Sequence, residues 1–219
     1  MDLLNMKRLY VPVAFIAIIL GGCATTQPIP ELSQPQSAGF GIDVTLKAPI
    51  AIFSAEPDQV FFAKIDGQDG LLQQQIIRSN YCKDGRAYLL NARPGTYVAV
   101  AAFFFRAPGG MGKSSYTTYF SKELVEQTKA TVRENDFVFM GTYVVDTSAG
   151  LAGADGVQTH YKNVIAPGAI ASGFLHIMSA DHHYRGVLLE HKSDEQTRNE
   201  FFQNAKDDLA GSAWPARIK

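Results

Sequence analysis

The pattern from Phe40 to His191 is a series of short runs rich in β-branched and aromatic residues, separated by glycine, proline and aspartate about every ten residues. The residues of the runs favour strands, while the separating residues favour turns. Many short strands joined by turns are typical of sandwiches and barrels. We therefore predict a mainly β fold, an antiparallel β-sandwich, with strands at 44–53, 59–65, 72–78, 86–90, 96–104, 116–121, 128–133, 137–146, 159–165 and 184–191.

One of these runs, 96–104, is apolar at both alternating sets of positions. Val98 and Val100 belong to one set, and Ala99 and Ala101 belong to the other. A strand that is apolar on both faces is covered on both faces. We expect this strand at the centre of the packing.

The stretch DGRAYLLNARPGTYVAVAA, residues 84–102, places Pro94 and Gly95 between two apolar runs. Proline presets φ for a tight turn, and glycine adopts its left-handed position. This strand, turn and strand unit resembles the transthyretin-like or carboxypeptidase-regulatory-like β-sandwiches found in bacterial lipoproteins. The resemblance implies a β-sandwich and assigns no catalytic residue.

The end of the chain changes to a helical period. Ser193 followed by Gln196 fits a capping box, and Gly211 is a suitable stop. Between them runs one apolar stripe, formed by Phe201, Phe202, Ala205 and Leu209. We predict that a helix at 194–209 and Trp214 pack on the sandwich; the alternative is a detached arm that binds a partner.

The N-terminus has the three-part layout of a secretory signal peptide: Lys7 and Arg8, an apolar run at 9–20, and small residues. About 12 apolar residues are too few for a membrane span, which needs roughly 20. The sequence Leu20-Gly21-Gly22-Cys23 then resembles the lipobox of bacterial lipoproteins. This resemblance implies a diacylglycerol on the Cys23 thiol, cleavage after Gly22 and acylation of the new amino terminus.

That resemblance predicts a lipid-anchored protein of the bacterial cell envelope, which is attached to the membrane through the lipid on Cys23. Ala24 follows the cysteine, and the absence of aspartate there favours export to the outer membrane. The predicted domains are a signal peptide at 1–22, the lipidated cysteine with a flexible tether at 23–39, the β-sandwich at 40–192, and the C-terminal helix and tail at 193–219. As a flexible coil, the tether would hold the domain about 20 Å from the lipid.

The net charge and the number of cysteines limit the classes of partner and the cross-links that the chain can have. The formal net charge is -1, so no basic surplus indicates nucleic acid as a partner. Besides Cys23 the chain has one cysteine, Cys82, so we predict no internal disulfide and read Cys82 as a small buried hydrophobe. The sequence indicates no cofactor.

The segment 98–115 ends in Gly112-Lys113-Ser114, which is reminiscent of a phosphate-binding loop. A full loop needs glycine where Ala107 stands, and it must open a helix so that backbone amides meet the phosphate. The residues after Lys113 are instead polar, aromatic and β-prone. We therefore predict a hairpin loop and no nucleotide.

Histidine offers the one candidate for chemistry. Asp181, His182 and His183 are consecutive, and Asp181 and His183 could project to the same face of a strand and ligate a metal with a third residue. The alternative function is therefore an envelope hydrolase or a metal-binding protein that uses this cluster. No nucleophile elbow or zinc-protease motif occurs in the sequence.

The segment 147–180 is the least ordinary part of the chain, because a glycine- and alanine-rich stretch precedes a strongly apolar one. The apolar stretch is either a buried core segment or an exposed flap that meets lipid or an envelope protein partner. From these features we predict a non-catalytic binding or structural module rather than an enzyme.

Overall fold

A computed structural model of the chain describes residues 27–47, 54–65, 76–106, 114–151, 156, 159–160 and 179–219. The predicted signal peptide, Cys23, the loop at 107–113 and most of the apolar stretch before Ala180 lie outside the described residues. Within the described ranges the chain forms eleven strands of one sheet.

The fold is mainly β, with 54% of the residues in strands. The strands are β1 (Ala38–Lys47), β2 (Ser54–Ala55), β3 (Gln59–Ile65), β4 (Ile76–Arg78), β5 (Tyr81–Lys83), β6 (Arg86–Ala92), β7 (Gly95–Arg106), β8 (Ser114–Phe120), β9 (Ala130–Val132), β10 (Phe137–Gly150) and β11 (His182–Lys192). The helices are α1 (Lys122–Gln127) and the C-terminal helix α2 (Glu195–Asp208), and a 3-10 turn follows at Trp214–Arg217.

The strands form a single sheet that curls into a half-barrel, in the order β4-β3-β7-β8-β11-β10-β1-β6-β5; β2 also pairs with β1, and β9 also pairs with β7. The prediction of an antiparallel sandwich is therefore wrong in its finer form, because β1 runs parallel to β10 and β8 runs parallel to β11. Both parallel pairs join strands that are distant in the sequence. The alternation of apolar residues within a strand carries no information on the direction of its neighbour.

The main core lies within the curled sheet and confirms the central position of β7. Val98, Ala99, Val100 and Ala101 are all buried. From β1, Phe40 packs edge-on against Phe62 of β3, with 4.9 Å between ring centroids. Because both faces of β7 are covered, its continuous apolar run is the pattern expected of a buried strand.

The predicted strand at 128–133 is partly wrong, because Thr128 is the C-cap of α1 and β9 covers only Ala130–Val132. Ser121 is the N-cap of α1, and its side chain accepts a hydrogen bond from the Leu124 N–H at 3.3 Å. Thr159 and His160 are helical, so the strand predicted from 159 does not begin there.

The C-terminal helix α2 packs on the sheet through a second apolar cluster, as predicted. Phe201, Phe202, Ala205, Leu209 and Trp214 are all buried. They pack against side chains of the sheet: Tyr81, Tyr88, Leu90 and Phe137. The N-cap is Asp194 rather than the predicted Ser193, because the Asp194 carboxylate accepts the Thr197 N–H at 3.0 Å. The helix therefore covers the sheet instead of projecting from it.

Two glycines of β1 make this close approach possible. A Cβ atom on Gly41 would lie 2.6 Å from Cζ of Phe201 and 2.7 Å from Cδ1 of Tyr88. A Cβ atom on Gly39 would lie 3.0 Å from the Trp214 ring. The helix and the indole thus sit directly on the β1 backbone.

Replacing Gly41 with alanine should destabilise the domain by about 1–3 kcal/mol, because the added methyl group overpacks a filled interface. Gly150→Ala is the matched control, since a Cβ there meets nothing within 4 Å. Urea unfolding of both variants measures the difference. Equal stability of the two variants would contradict the close packing of α2 on β1.

The described part of the segment before β1 is attached to the domain. The Trp214 indole N–H donates to the Pro30 carbonyl at 2.8 Å. The Asn91 amide donates to the Glu31 carbonyl at 2.7 Å and accepts the Ser33 N–H at 2.9 Å. Ala38 and Gly39, predicted to end the tether, belong to β1. These contacts hold residues 30–33 against Trp214 and β6.

Candidate functional site

The three predicted site residues lie together at the start of β11, beside β8. The Asp181 carboxylate accepts hydrogen bonds from the N–H and the hydroxyl of Ser115, each at 2.8 Å. In return, the Asp181 N–H donates to the Ser115 hydroxyl at 3.0 Å. The Ser115 N–H and then its hydroxyl lower the pKa of Asp181, so this carboxylate is ionised and serves to fix the start of β11 to β8.

His183 contacts a buried tyrosine instead of Asp181. Its Nδ1 lies 3.0 Å from the Tyr119 hydroxyl, and the two rings stack with 5.7 Å between centroids. Burial, followed by the neighbouring His182, lowers the pKa of His183. Burial raises the pKa of Tyr119 above its usual range. Near neutral pH the pair therefore combines a neutral imidazole with a protonated phenol.

His182 takes part in a different contact, as expected for neighbours on a strand. Its ring stacks on Tyr116 with 4.8 Å between centroids, whereas His183 stacks on Tyr119. Tyr116 and Tyr119 are three residues apart in β8 and so lie on opposite faces of that strand. The two histidine rings therefore have different aromatic partners on opposite faces of β8.

The contact between His182 and Tyr116 is part of a larger feature, which we call the aromatic row. It consists of Phe104, Tyr116, His182 and Tyr184. The first three occupy directly paired positions of β7, β8 and β11. Phe104 and Tyr116 stack with nearly parallel rings, at an interplanar angle of 7° and 4.9 Å between centroids, and the Arg106 guanidinium lies 5.9 Å from the Phe104 ring centroid.

The aromatic row is a partly exposed surface, because His182 is exposed and the other three side chains are half-buried. Stacked rings with a guanidinium at one end can bind a planar or apolar group by stacking and can bind an anionic group by charge. No local sequence pattern marks this row. The sequence does contain an aromatic residue in or beside each of the three strands. The pairing register is needed to show that these residues are neighbours in the sheet.

The chemistry of metal binding needs a third ligand beside Asp181 and His183. Within the described ranges, no group of three or more histidine, cysteine, aspartate or glutamate side chains could hold a metal ion. Asp181 is hydrogen-bonded to Ser115, and Nδ1 of His183 lies within hydrogen-bond distance of the Tyr119 hydroxyl. The structure brings the predicted residues together on one strand without joining them into one ligand set.

Sequence analysis also missed a charged network beneath α2. Asp208 is buried, and its carboxylate accepts hydrogen bonds from Arg86 Nε at 2.6 Å and from the Tyr88 hydroxyl at 2.7 Å. The Lys83 ammonium lies 3.3 Å from the same carboxylate. The Tyr81 hydroxyl donates to the Asp208 carbonyl at 3.0 Å. This network attaches the end of α2 to β5 and β6.

Two further sequence candidates are Cys82 and the segment that ends in Gly112-Lys113-Ser114, of which the structure describes Ser114 onward. Burial raises the pKa of the half-buried Cys82 thiol to about 11, and its Sγ lies 3.2 Å from the Ser79 hydroxyl, so the thiol is protonated. After Lys113 the chain forms β8, so the strand predicted there is confirmed where a phosphate loop would need a helix.

No protein-family model matches the chain, and neither a curated protein nor a solved structure matches it. Among the helices of the described residues, none is both long and apolar enough to cross a membrane.

Proposed function

We propose that this chain is a lipid-anchored protein of the bacterial cell envelope that acts as a non-catalytic binding or structural module. The observation that carries the proposal is Leu20-Gly21-Gly22-Cys23 directly after the apolar run at 9–20. The lipobox gives the anchor a defined atom, the Cys23 sulfur. Two or more acyl chains give stable anchoring, because each buried methylene adds about 0.8 kcal/mol.

The arrangement around β11 supports a binding role over catalysis. A hydrolytic relay needs a nucleophile, a base and a group that orients the base. Here the carboxylate of Asp181 is hydrogen-bonded to Ser115, while His183 contacts the buried Tyr119. The exposed feature of this region is the aromatic row, which suits recognition of a planar or apolar group on an envelope partner.

The anchor is tested by replacing Cys23 with serine, which removes the sulfur that the lipid needs. We expect metabolic labelling with a palmitate analogue to mark the native chain, and to be lost in Cys23→Ser. The matched control is Cys82→Ser, which removes the other cysteine and should keep full labelling. Equal labelling of the native chain and Cys23→Ser would refute the proposed anchor.

Ala24 extends the proposal to the outer membrane, because aspartate at this position favours retention in the inner membrane of enteric-type bacteria. Separation of the two membranes, followed by detection of the labelled chain, locates the protein. Recovery of the chain with the inner membrane would contradict this part of the proposal while leaving the anchor in place.

A further inference from the structure

The first described residues line an open cleft, which we call the N-terminal cleft. Gln27 and Pro28 form one part of its wall, and Asp58, Arg78, Lys83 and Phe105 line it as well. The cleft thus joins the point where the chain enters the domain to the ends of β4, β5 and β7. A membrane anchor attached just before Gln27 would therefore lie close to these side chains.

Phe105 is the prominent apolar group in this cleft. Its side chain is 54% exposed, more than that of any other large hydrophobic residue in the described ranges. Its position is nonetheless fixed, because its N–H donates to the Asp58 carboxylate at 2.7 Å. Its ring also packs edge-on against the buried Phe103, with 4.8 Å between centroids. The domain therefore presents an apolar ring from a rigid support.

The distance from the cleft to the proposed lipid is short. Three residues separate Cys23 from Gln27, and a fully extended chain spans at most about 3.6 Å per residue, which gives a reach of about 14 Å. Residues 30–33 are held against the domain by Trp214 and Asn91, so they add nothing to this reach. The lipid on Cys23 must therefore enter its membrane close to the N-terminal cleft.

The charges of the cleft are mixed. Its lining contains two cationic side chains, Arg78 and Lys83, and three carboxylates, those of Glu56, Asp58 and Asp84. A mixed surface of this kind suits zwitterionic headgroups, which also carry both signs, better than a strongly anionic surface. An apolar ring among such charges is the arrangement of a residue that enters the interfacial layer of a bilayer.

From these observations we propose that the N-terminal cleft faces the bilayer that holds the lipid of Cys23, and that the Phe105 ring inserts into the interfacial layer of that bilayer. This inference rests on the proposed lipid anchor. It assigns an orientation to the domain: the surface around Phe105 faces the membrane, and the end of β11 faces away from it.

The test uses a lipid-depth measurement on the full lipidated chain. Phe105→Cys and Leu189→Cys are made in a Cys82→Ser background and labelled with an environment-sensitive fluorophore. Leu189 is a matched control because it is similarly exposed, at 51%, and lies seven residues beyond His182 in β11, about 23 Å along the strand. Each protein is reconstituted into phosphatidylethanolamine and phosphatidylcholine vesicles that carry spin-labelled quencher lipids, after thermal melts and mass measurement establish folding and lipidation.

We expect several-fold stronger quenching at position 105 than at position 189, with little dependence on salt. The same label on a chain that begins at Thr25 should show no quenching. A lipidated protein with equal quenching at both positions would overturn the orientation and leave the anchor intact. If position 105 is shielded without lipid quenching, and the shielding depends on protein concentration, then a second copy of the chain covers the N-terminal cleft. That result would also overturn the proposed orientation. Absence of lipid on Cys23 would overturn both proposals.

Discussion

A chain that ends at Lys192 is expected to lose the cooperative unfolding of the domain, rather than only the signal of one helix. The truncation removes the buried Phe201, Phe202, Leu209 and Trp214. Full burial of each such side chain contributes about 1.5–3 kcal/mol, and a domain of ordinary stability has a margin of about 5–15 kcal/mol. The truncation also exposes Tyr88 of the sheet, which is buried in the full chain. The loss is therefore comparable with the whole margin.

Circular dichroism and urea unfolding of this truncation are compared with those of the chain from Thr25 to the end, which retains the segment that binds Trp214. Two point variants separate packing from helix content. Trp214→Ala should cost about 3–5 kcal/mol because it empties a filled site. Gln203→Ala, at an exposed position of α2, should stay within about 0.5 kcal/mol. An unchanged melting temperature for the truncation would favour a detached, partner-binding arm.

The strands were predictable where the information is local. The interval 59–65 agrees with β3 at both ends, because its apolar run is bounded by turn-forming residues. The parallel direction of β10 beside β1 was not predictable from the sequence. The apolar alternation in each strand is compatible with either direction, and the two strands that pair are far apart in the chain. A sandwich and a curled mixed sheet share the same local pattern.

Helix α1 shows how a short element escapes a periodicity argument. Six residues give fewer than two turns, too few for an apolar stripe to stand out. The signals that were present are Ser121 as a capping residue, Glu123 in the first turn and a run of good helix formers. The neighbouring Thr128 favoured a strand by propensity, yet its hydroxyl donates to the Val125 carbonyl at 2.8 Å and ends the helix.

The candidate site was also predictable only where the information is local. The divergence of His182 and His183 follows from strand geometry, so it could be predicted. The partners of these residues come from β8, more than sixty positions earlier in the chain. The hydrogen bond between Trp214 and Pro30 joins positions 184 residues apart, so nothing local in the proline-rich segment indicates that it is attached to the domain. The sequence contains each partner but does not pair them.

The buried charge network gives the second large expected effect. Asp208→Ala should destabilise the domain by about 3–5 kcal/mol, because it leaves the Arg86 guanidinium without the carboxylate that it contacts through Nε and Nη2. The matched control is Asp207→Ala, which removes the adjacent, exposed carboxylate and should stay within about 0.5 kcal/mol. Urea unfolding at pH 7 measures both. A similar cost for the two variants would contradict the network.

The cost of Asp208→Ala should also depend on pH, and the sign follows from the pKa of Asp208. Burial raises this pKa, but the hydrogen bonds from Arg86 and Tyr88 and the charge of Arg86 outweigh burial, so the net pKa lies below the ordinary 3.8. A carboxyl group with a lowered native pKa contributes stability above its unfolded pKa, and this contribution is lost as pH falls through the native value. The cost of Asp208→Ala should therefore be smaller at pH 3 than at pH 7.

The difference between native and variant is the quantity to measure, because Asp43 acts in the opposite sense. Burial is the main cause that raises the pKa of Asp43, so its contribution to stability increases as pH falls. Asp208→Asn separates the effects further, since its amide keeps the shape of the side chain and does not titrate in this range. If the cost of Asp208→Ala were the same at pH 3 and pH 7, then charge would not be the property that attaches α2 to β6, and the apolar cluster around Tyr88 and Phe201 would account for the attachment instead.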